Sequence, residues 1–89
     1  MRAIISVIGK DQVGILAKVT EACAKHGVNV EDVTQSVLRD FFAMIMLVNM
    51  EKSDITLTNF GDAMEVLGKE MGLSIHVMHE DLFNAMHTI

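Results

Sequence analysis

The chain has 89 residues, of which 51% are hydrophobic and 21% are charged, and it contains no proline. A chain of this length forms one domain, and the apolar content excludes a disordered or linker-rich protein. Its formal net charge of -5 comes without clustered Lys and Arg, which argues against a nucleic-acid partner. Cys23 is the single cysteine, so an internal disulfide is excluded and a cytoplasmic location is favoured.

The first predicted element is a strand, β1, from Arg2 to Ile8. It is rich in β-branched residues, and both of its alternating sets of side chains are apolar. This pattern predicts an interior strand that is covered on two sides. The apolar run is too short for a signal peptide or a membrane span, so no membrane association is expected.

An extended apolar run gives way to helical spacing between Gly9 and Leu16. Asp11 is the predicted N-cap, because its carboxylate can accept from first-turn N–H groups that lack a partner within the helix. Gly14 follows, although glycine weakens a helix by up to about 1 kcal/mol relative to alanine. Two reasons for it stay open: close packing of a neighbouring backbone, or approach of a small ligand whose carboxylate meets the helix N-terminus.

The next two elements form the rest of the first half of the chain. Apolar residues from Gly14 to His26 recur on one helical face and predict α1, which Gly27 ends. Strand β2 is predicted from Val28 to Leu38. Its apolar alternation slips by one residue at Glu31-Asp32, which indicates a β-bulge there.

The second half has the same kind of pattern. It predicts β3 over Phe41–Met50, in a hairpin with β2, then α2 over Leu57–Met71, an edge strand β4 over Leu73–Met78, and a short helix α3 over Glu80–His87. Candidate N-caps for α2 are Ser53, Asp54 and Thr56, and Gly72 is the predicted stop. Gly61 and Gly68 inside α2 are expected to let another element approach closely.

The order βαββαβ predicts an α+β fold of the ferredoxin-like type. Right-handed crossovers favour an antiparallel sheet of order 4-1-3-2 with both helices on one face. We expect this domain to span residues 1–79, with residues 80–89 as a C-terminal helical extension. The opposite face of the sheet would display Ile4, Ile8 and an apolar side of β3, which predicts self-association.

The residues with catalytic or metal-binding potential do not form a recognisable constellation. No loop holds a nucleophile beside a base, and Cys23 lies on the inward face of α1 as a buried structural thiol. His76 and His79 invite a metal hypothesis, but they point to opposite faces of a strand. The sequence therefore favours no enzymatic activity, no cofactor and no dedicated metal site.

Two segments together resemble the ACT domain, a small-molecule-sensing module of amino-acid-metabolism enzymes and regulators. They are Val7–Leu16 (VIGKDQVGIL) and, one helix later, Gly27–Val33 (GVNVEDV). The resemblance covers residues 1–79 in element order. The chain is most similar to the short stand-alone ACT proteins of bacteria and archaea, which resemble the ACT domains of glycine cleavage system regulators.

The resemblance implies an amino-acid site between two subunits, with the β1–α1 loop of one facing the start of β2 of the other. In this sequence the matching positions are Asp11, Gly14 and Ile15 on one side and Asn29 and Val30 on the other. It implies a non-enzymatic homodimer or higher homo-oligomer that reports a small amino acid to a regulated enzyme or regulator protein. The alternative is a ligand-free assembly or adaptor module, because several ACT domains bind no ligand.

Overall fold

The computed structural model describes residues 1–87. Its elements are β1 (Arg2–Lys10), α1 (Ile15–Lys25), β2 (Asn29–Leu38), β3 (Phe41–Asn49), α2 (Leu57–Met71), β4 (Leu73–His79) and α3 (Glu80–Met86). The predicted element order is confirmed, with boundaries that shift by one or two residues. Positions 88 and 89 of the predicted extension over 80–89 lie outside the described residues.

The four strands form one antiparallel sheet in the order β2-β3-β1-β4, which confirms the predicted order. Ile5 in the middle of β1 lies opposite Met46 on β3 and Val77 on β4, so β1 is an interior strand. The register of β2 against β3 shifts between Val30 and Asp32, as the predicted bulge requires. Strands β2 and β4 are the two edges.

The core lies between the helices and one face of the sheet. Alternate residues of β3 are buried on that face, including Met44 and Met46, which are both 0% exposed. Phe60 of α2 and Val19 of α1 are also 0% exposed and belong to the same cluster. The flexible thioether side chains fill space in this core, as methionine commonly does.

The opposite side of the sheet, which we call the open face, lacks such cover. Ile8 on β1 is 54% exposed, and on β3 Phe41 is 62% and Ile45 is 38% exposed. The predicted bare apolar face is therefore confirmed. The prediction that β1 is covered on two sides is wrong within one chain, because only Ile4 on this face is buried, at 7% exposure.

The start of α1 differs from the prediction. Gly14, rather than Asp11, is the N-cap, and no side chain makes a capping hydrogen bond there. A Cβ placed on Gly14 would meet nothing within 4 Å, so close packing of a neighbouring backbone is also wrong. Gly14 has φ 90, a left-handed conformation that side chains disfavour. The glycine is there because the chain turns sharply into the helix.

The ends of α2 follow the prediction more closely. Thr56 is the N-cap, and its Oγ1 accepts from the backbone N–H of Asn59 at 3.1 Å. Gly72 ends the helix with φ 71. Gly68 does allow a close approach, whereas a Cβ on Gly61 would lie at an ordinary 3.9 Å from its nearest neighbour.

Candidate functional site

The loop between β1 and α1 is held on both sides by hydrogen bonds. The backbone N–H of Asp11 donates to the carbonyl of Asp40 in the β2–β3 hairpin at 2.7 Å. The Gln12 amide nitrogen donates to the carbonyl of Met71 at the end of α2 at 2.8 Å. These bonds join the loop to two distant parts of the chain and leave Gly14 on the surface with open space in front of it.

The N-terminus of α1 is open to an anionic group. Gly14 supplies no side-chain cap, and the first turn contains no acidic residue. The first N–H groups of a helix have no partner within it and attract a carboxylate. The Ile15 side chain is 2% exposed and belongs to the core, so this residue can offer a ligand only its backbone.

The other predicted site residues lie at the start of β2. Asn29 is exposed and pairs with Asn49 across the sheet. These two asparagines, with Glu51 and Lys52, line a depression of about 370 Å³. Val30 is half-buried and packs against the core, on the opposite face of the sheet from Asn29, so its side chain does not line this depression.

A network of polar side chains lies beside this depression, and it was not predicted from the sequence. The Asn49 amide nitrogen donates to Glu31 Oε2 at 3.3 Å, and Arg2 Nη1 lies 3.7 Å from Glu31 Oε1. Arg2 Nη2 also contacts Glu80 Oε2 at 2.7 Å. The sequence feature that could have indicated this network is Asn49, the one polar residue in the strand Phe41–Asn49.

The two groups of predicted site residues do not meet within one chain. Arg2 pairs with Asn49 at the β2-start end of the sheet, whereas Lys10 pairs with Phe41 at the end where the β1–α1 loop begins. The β1 strand between these ends is nine residues long, which corresponds to roughly 25 Å. Only a second copy of the chain can bring an Asn29 to a Gly14.

Comparison with known proteins identifies the fold family. A family model described as the ACT domain matches residues 2–78. The chain belongs to the ACT domain family. A UPF0237 protein of Methanopyrus kandleri is 41% identical over 88 residues, which cover 99% of this chain and 98% of that protein.

Solved structures agree with this assignment. An ACT domain protein from Streptococcus pneumoniae has a TM-score of 0.82 and 33% identity, with 98% of each chain covered. A putative glycine cleavage system transcriptional repressor has a TM-score of 0.76 at 22% identity, over 89% of this chain and 47% of that one. The second likeness is one of fold alone.

The single thiol of this ACT domain lies in the core. Cys23 is 1% exposed, and burial raises its pKa to about 11 because the thiolate is poorly solvated there. A thiol of that pKa is protonated near neutral pH and is a weak nucleophile. The predicted structural role of Cys23 is confirmed.

The histidines of β4 do point to opposite faces, since His76 pairs with Ser6 and His79 with Ala3. Ser74 Oγ lies 3.2 Å from His76 Nε2, and His79 Nδ1 accepts from the N–H of Asp81 at 3.0 Å. Within residues 1–87, no group of three or more His, Cys, Asp or Glu is placed to hold a metal ion. The helices of the same range are also too short or too polar to cross a membrane.

Proposed function

We propose that this ACT domain is a non-enzymatic cytoplasmic regulator that binds a small amino acid between two copies of the chain. Its ligand state is then reported to an enzyme or regulator protein. The observation that supports this most is the uncapped start of α1 at Gly14, which faces open space. An amino-acid carboxylate has the charge and size for such a helix N-terminus.

A second copy can complete the site through the free edge of β2. Two β2 strands can pair in an antiparallel manner about a twofold axis. They overlap over their full length when Thr34 of one copy lies opposite Thr34 of the other. The bulge residue Glu31 has no partner in the pairing with β3. If Glu31 is also left unpaired between the two β2 strands, Asn29 of one copy lies opposite Leu38 of the other. Leu38 lies at the end of the sheet where the β1–α1 loop begins. This arrangement therefore moves Asn29 of one copy toward Gly14 of the other.

The side chains have the polar groups that an amino acid needs. Because Asp11 is not the N-cap, its exposed carboxylate is available to accept from a ligand ammonium group. The Asn29 amide can donate to a carboxylate and accept from an ammonium. The Val30 side chain packs against the core on the other face of the strand, so Val30 can offer a ligand only its backbone. We expect the ligand to lie among these groups, with its carboxylate toward the start of α1.

Binding is tested by calorimetric titration with each of the twenty amino acids. Asn29→Ala is expected to weaken binding of the best ligand by about 1–3 kcal/mol, roughly 5- to 150-fold, because a polar contact is lost. Without ligand, the free energy of unfolding should change by less than about 1 kcal/mol, since Asn29 is exposed. Ligand at 100 times its dissociation constant should stabilise the parent chain by about 2.7 kcal/mol in a thermal melt.

Asn59→Ala is the matched control, because Asn59 is an exposed asparagine on α2, away from the candidate site. It should leave both affinity and stability unchanged. The absence of heat and of a melting shift with every amino acid at millimolar concentration would favour the ligand-free adaptor. If Asn29→Ala destabilises the dimer while the measured affinity stays intact, Asn29 is an interface residue and the pocket assignment is wrong.

Self-association is expected with or without ligand. Light scattering at micromolar concentration should give at least twice the 9.8 kDa of the chain. Ile45→Lys on the open face separates two interfaces: a dimer built through the β2 edges keeps its mass, whereas assembly through the open face is lost. The exposed apolar face also favours the alternative function, a ligand-free assembly module. A monomer for the parent chain would contradict both.

A further inference from the structure

A groove of about 410 Å³ runs between α2 and β4 at the edge of the sheet opposite β2. Five consecutive strand residues, from Ile75 to His79, line it. Side chains alternate between the two faces of a strand, so an unbroken run of lining residues means that the backbone edge borders the groove. We call this feature the β4 groove. Its strand side offers N–H and C=O groups to a further strand.

The helix side of the β4 groove is a single stripe of α2. Thr58, Gly61, Asp62 and Glu65 line it, at the spacing that places residues on one helical face. Gly61 has no side chain, so the groove is wider where this residue faces Val77. Asp62 and Glu65 are exposed, and within residues 1–87 neither is in an ion pair or a side-chain hydrogen bond.

We propose that the β4 groove binds an extended basic segment of a partner protein, which pairs with β4 as a fifth strand of the sheet. Backbone groups of β4 would supply the hydrogen bonds, as in other cases of strand addition to a sheet edge. Lys or Arg side chains on the helix side of the segment would face Asp62 and Glu65. Apolar residues would contact Leu57 and Leu82, and Leu82 is 54% exposed.

Charge decides between this partner and a second copy of the chain. Pairing of β4 with another β4 would bring two acidic stripes, each with Asp62 and Glu65, to the same interface. The chain also has a formal net charge of -5. Like charges at one interface are unfavourable, whereas a basic segment is attracted and its association is accelerated. The surface does not depend on the proposed amino-acid site, since β2 and β4 are opposite edges of the sheet.

The test is a selection of peptides from a random twelve-residue display library on the purified parent protein. Enriched peptides are expected to alternate Lys or Arg with apolar or β-branched residues. A synthetic copy of the most enriched peptide should protect backbone amides of Leu73–His79 from hydrogen exchange. Methylation of alternate peptide nitrogens, which removes strand hydrogen bonds, should reduce its affinity at least about tenfold.

The double variant Asp62→Lys with Glu65→Lys should bind the peptide with at least about tenfold lower affinity. This difference from the parent protein should become smaller at high salt, because salt screens the charges. Glu70→Lys is the matched control, because Glu70 is an exposed acid of α2 that does not line the groove. It should change affinity less than about twofold. The proposal is overturned if no peptide is enriched, if acidic peptides are enriched, or if the double variant and the control bind alike. Self-association that is strengthened by Glu65→Lys, which relieves the repulsion between two acidic stripes, would show that a second copy occupies the groove and would overturn the proposal.

Discussion

Gly68→Ala is expected to lower the free energy of unfolding by about 2–3 kcal/mol, although alanine is the better helix former. A Cβ at this buried position would lie 2.7 Å from the backbone oxygen of Leu73 and 3.1 Å from Ile75 Cγ1. The nearest atom is backbone, so relief requires α2 to move away from β4. The measurement is chemical denaturation at fixed protein concentration, because association contributes to apparent stability.

Gly61→Ala is the matched control on the same helix. Its Cβ would lie 3.9 Å from Val77 Cβ, which is an ordinary contact. The gain in helix propensity is then unopposed, and stability should rise by about 0.5–1 kcal/mol. Equal effects of the two substitutions would contradict the assignment of Gly68 as the point of close approach between α2 and β4.

The fold was predictable because each element has a pattern that its own residues determine. Apolar residues on one face of the helix Leu57–Met71, and its cap at Thr56, are local features that tertiary structure did not override. The β2 bulge was visible because a slip of one residue reverses which side chains face the core. The sheet order then followed from right-handed crossovers.

The start of α1 was not predictable from such patterns. The loop is shaped by Asp11 bonding to Asp40 and Gln12 bonding to Met71, and both contacts join residues far apart in the sequence. Asp11 has the right chemistry for a cap, yet the chain continues for two more residues before Gly14 turns into the helix. A residue's capping propensity does not specify where a loop held by tertiary contacts will end.

The candidate site was predictable only in part for a similar reason. Asn29 was recognised from the resemblance, but its neighbour Asn49 comes from another strand and lies opposite it through the sheet register. Arg2, which lies opposite Asn49, comes from a third strand. Register depends on the paired strands together, so one strand's sequence does not reveal its neighbours. The register also shows that Asn29 and Gly14 of one chain lie near opposite ends of the sheet, which makes a second copy a requirement of the proposed site.

Gly14→Val is expected to have two effects at once. A β-branched residue at φ 90 is strained, so the free energy of unfolding should fall by about 2–3 kcal/mol even though the surrounding space is open. Its side chain would also occupy the approach to the start of α1 and abolish amino-acid binding. Because strain alone can distort the loop, this variant shows that Gly14 matters without showing why.

Gly14→Asn separates the two effects, because asparagine tolerates the left-handed conformation. Stability should fall by no more than about 1 kcal/mol, while the side chain hinders the ligand and lowers affinity at least about tenfold. Gly72→Asn is the matched control, with φ 71, open space around its Cβ position and no part in the site. Gly72→Asn should lower the free energy of unfolding by the same amount as Gly14→Asn and leave the affinity for the amino acid unchanged. Parent-like affinity in Gly14→Asn, measured by titration, would place the ligand away from the start of α1, because no carboxylate could then occupy the space the new side chain fills.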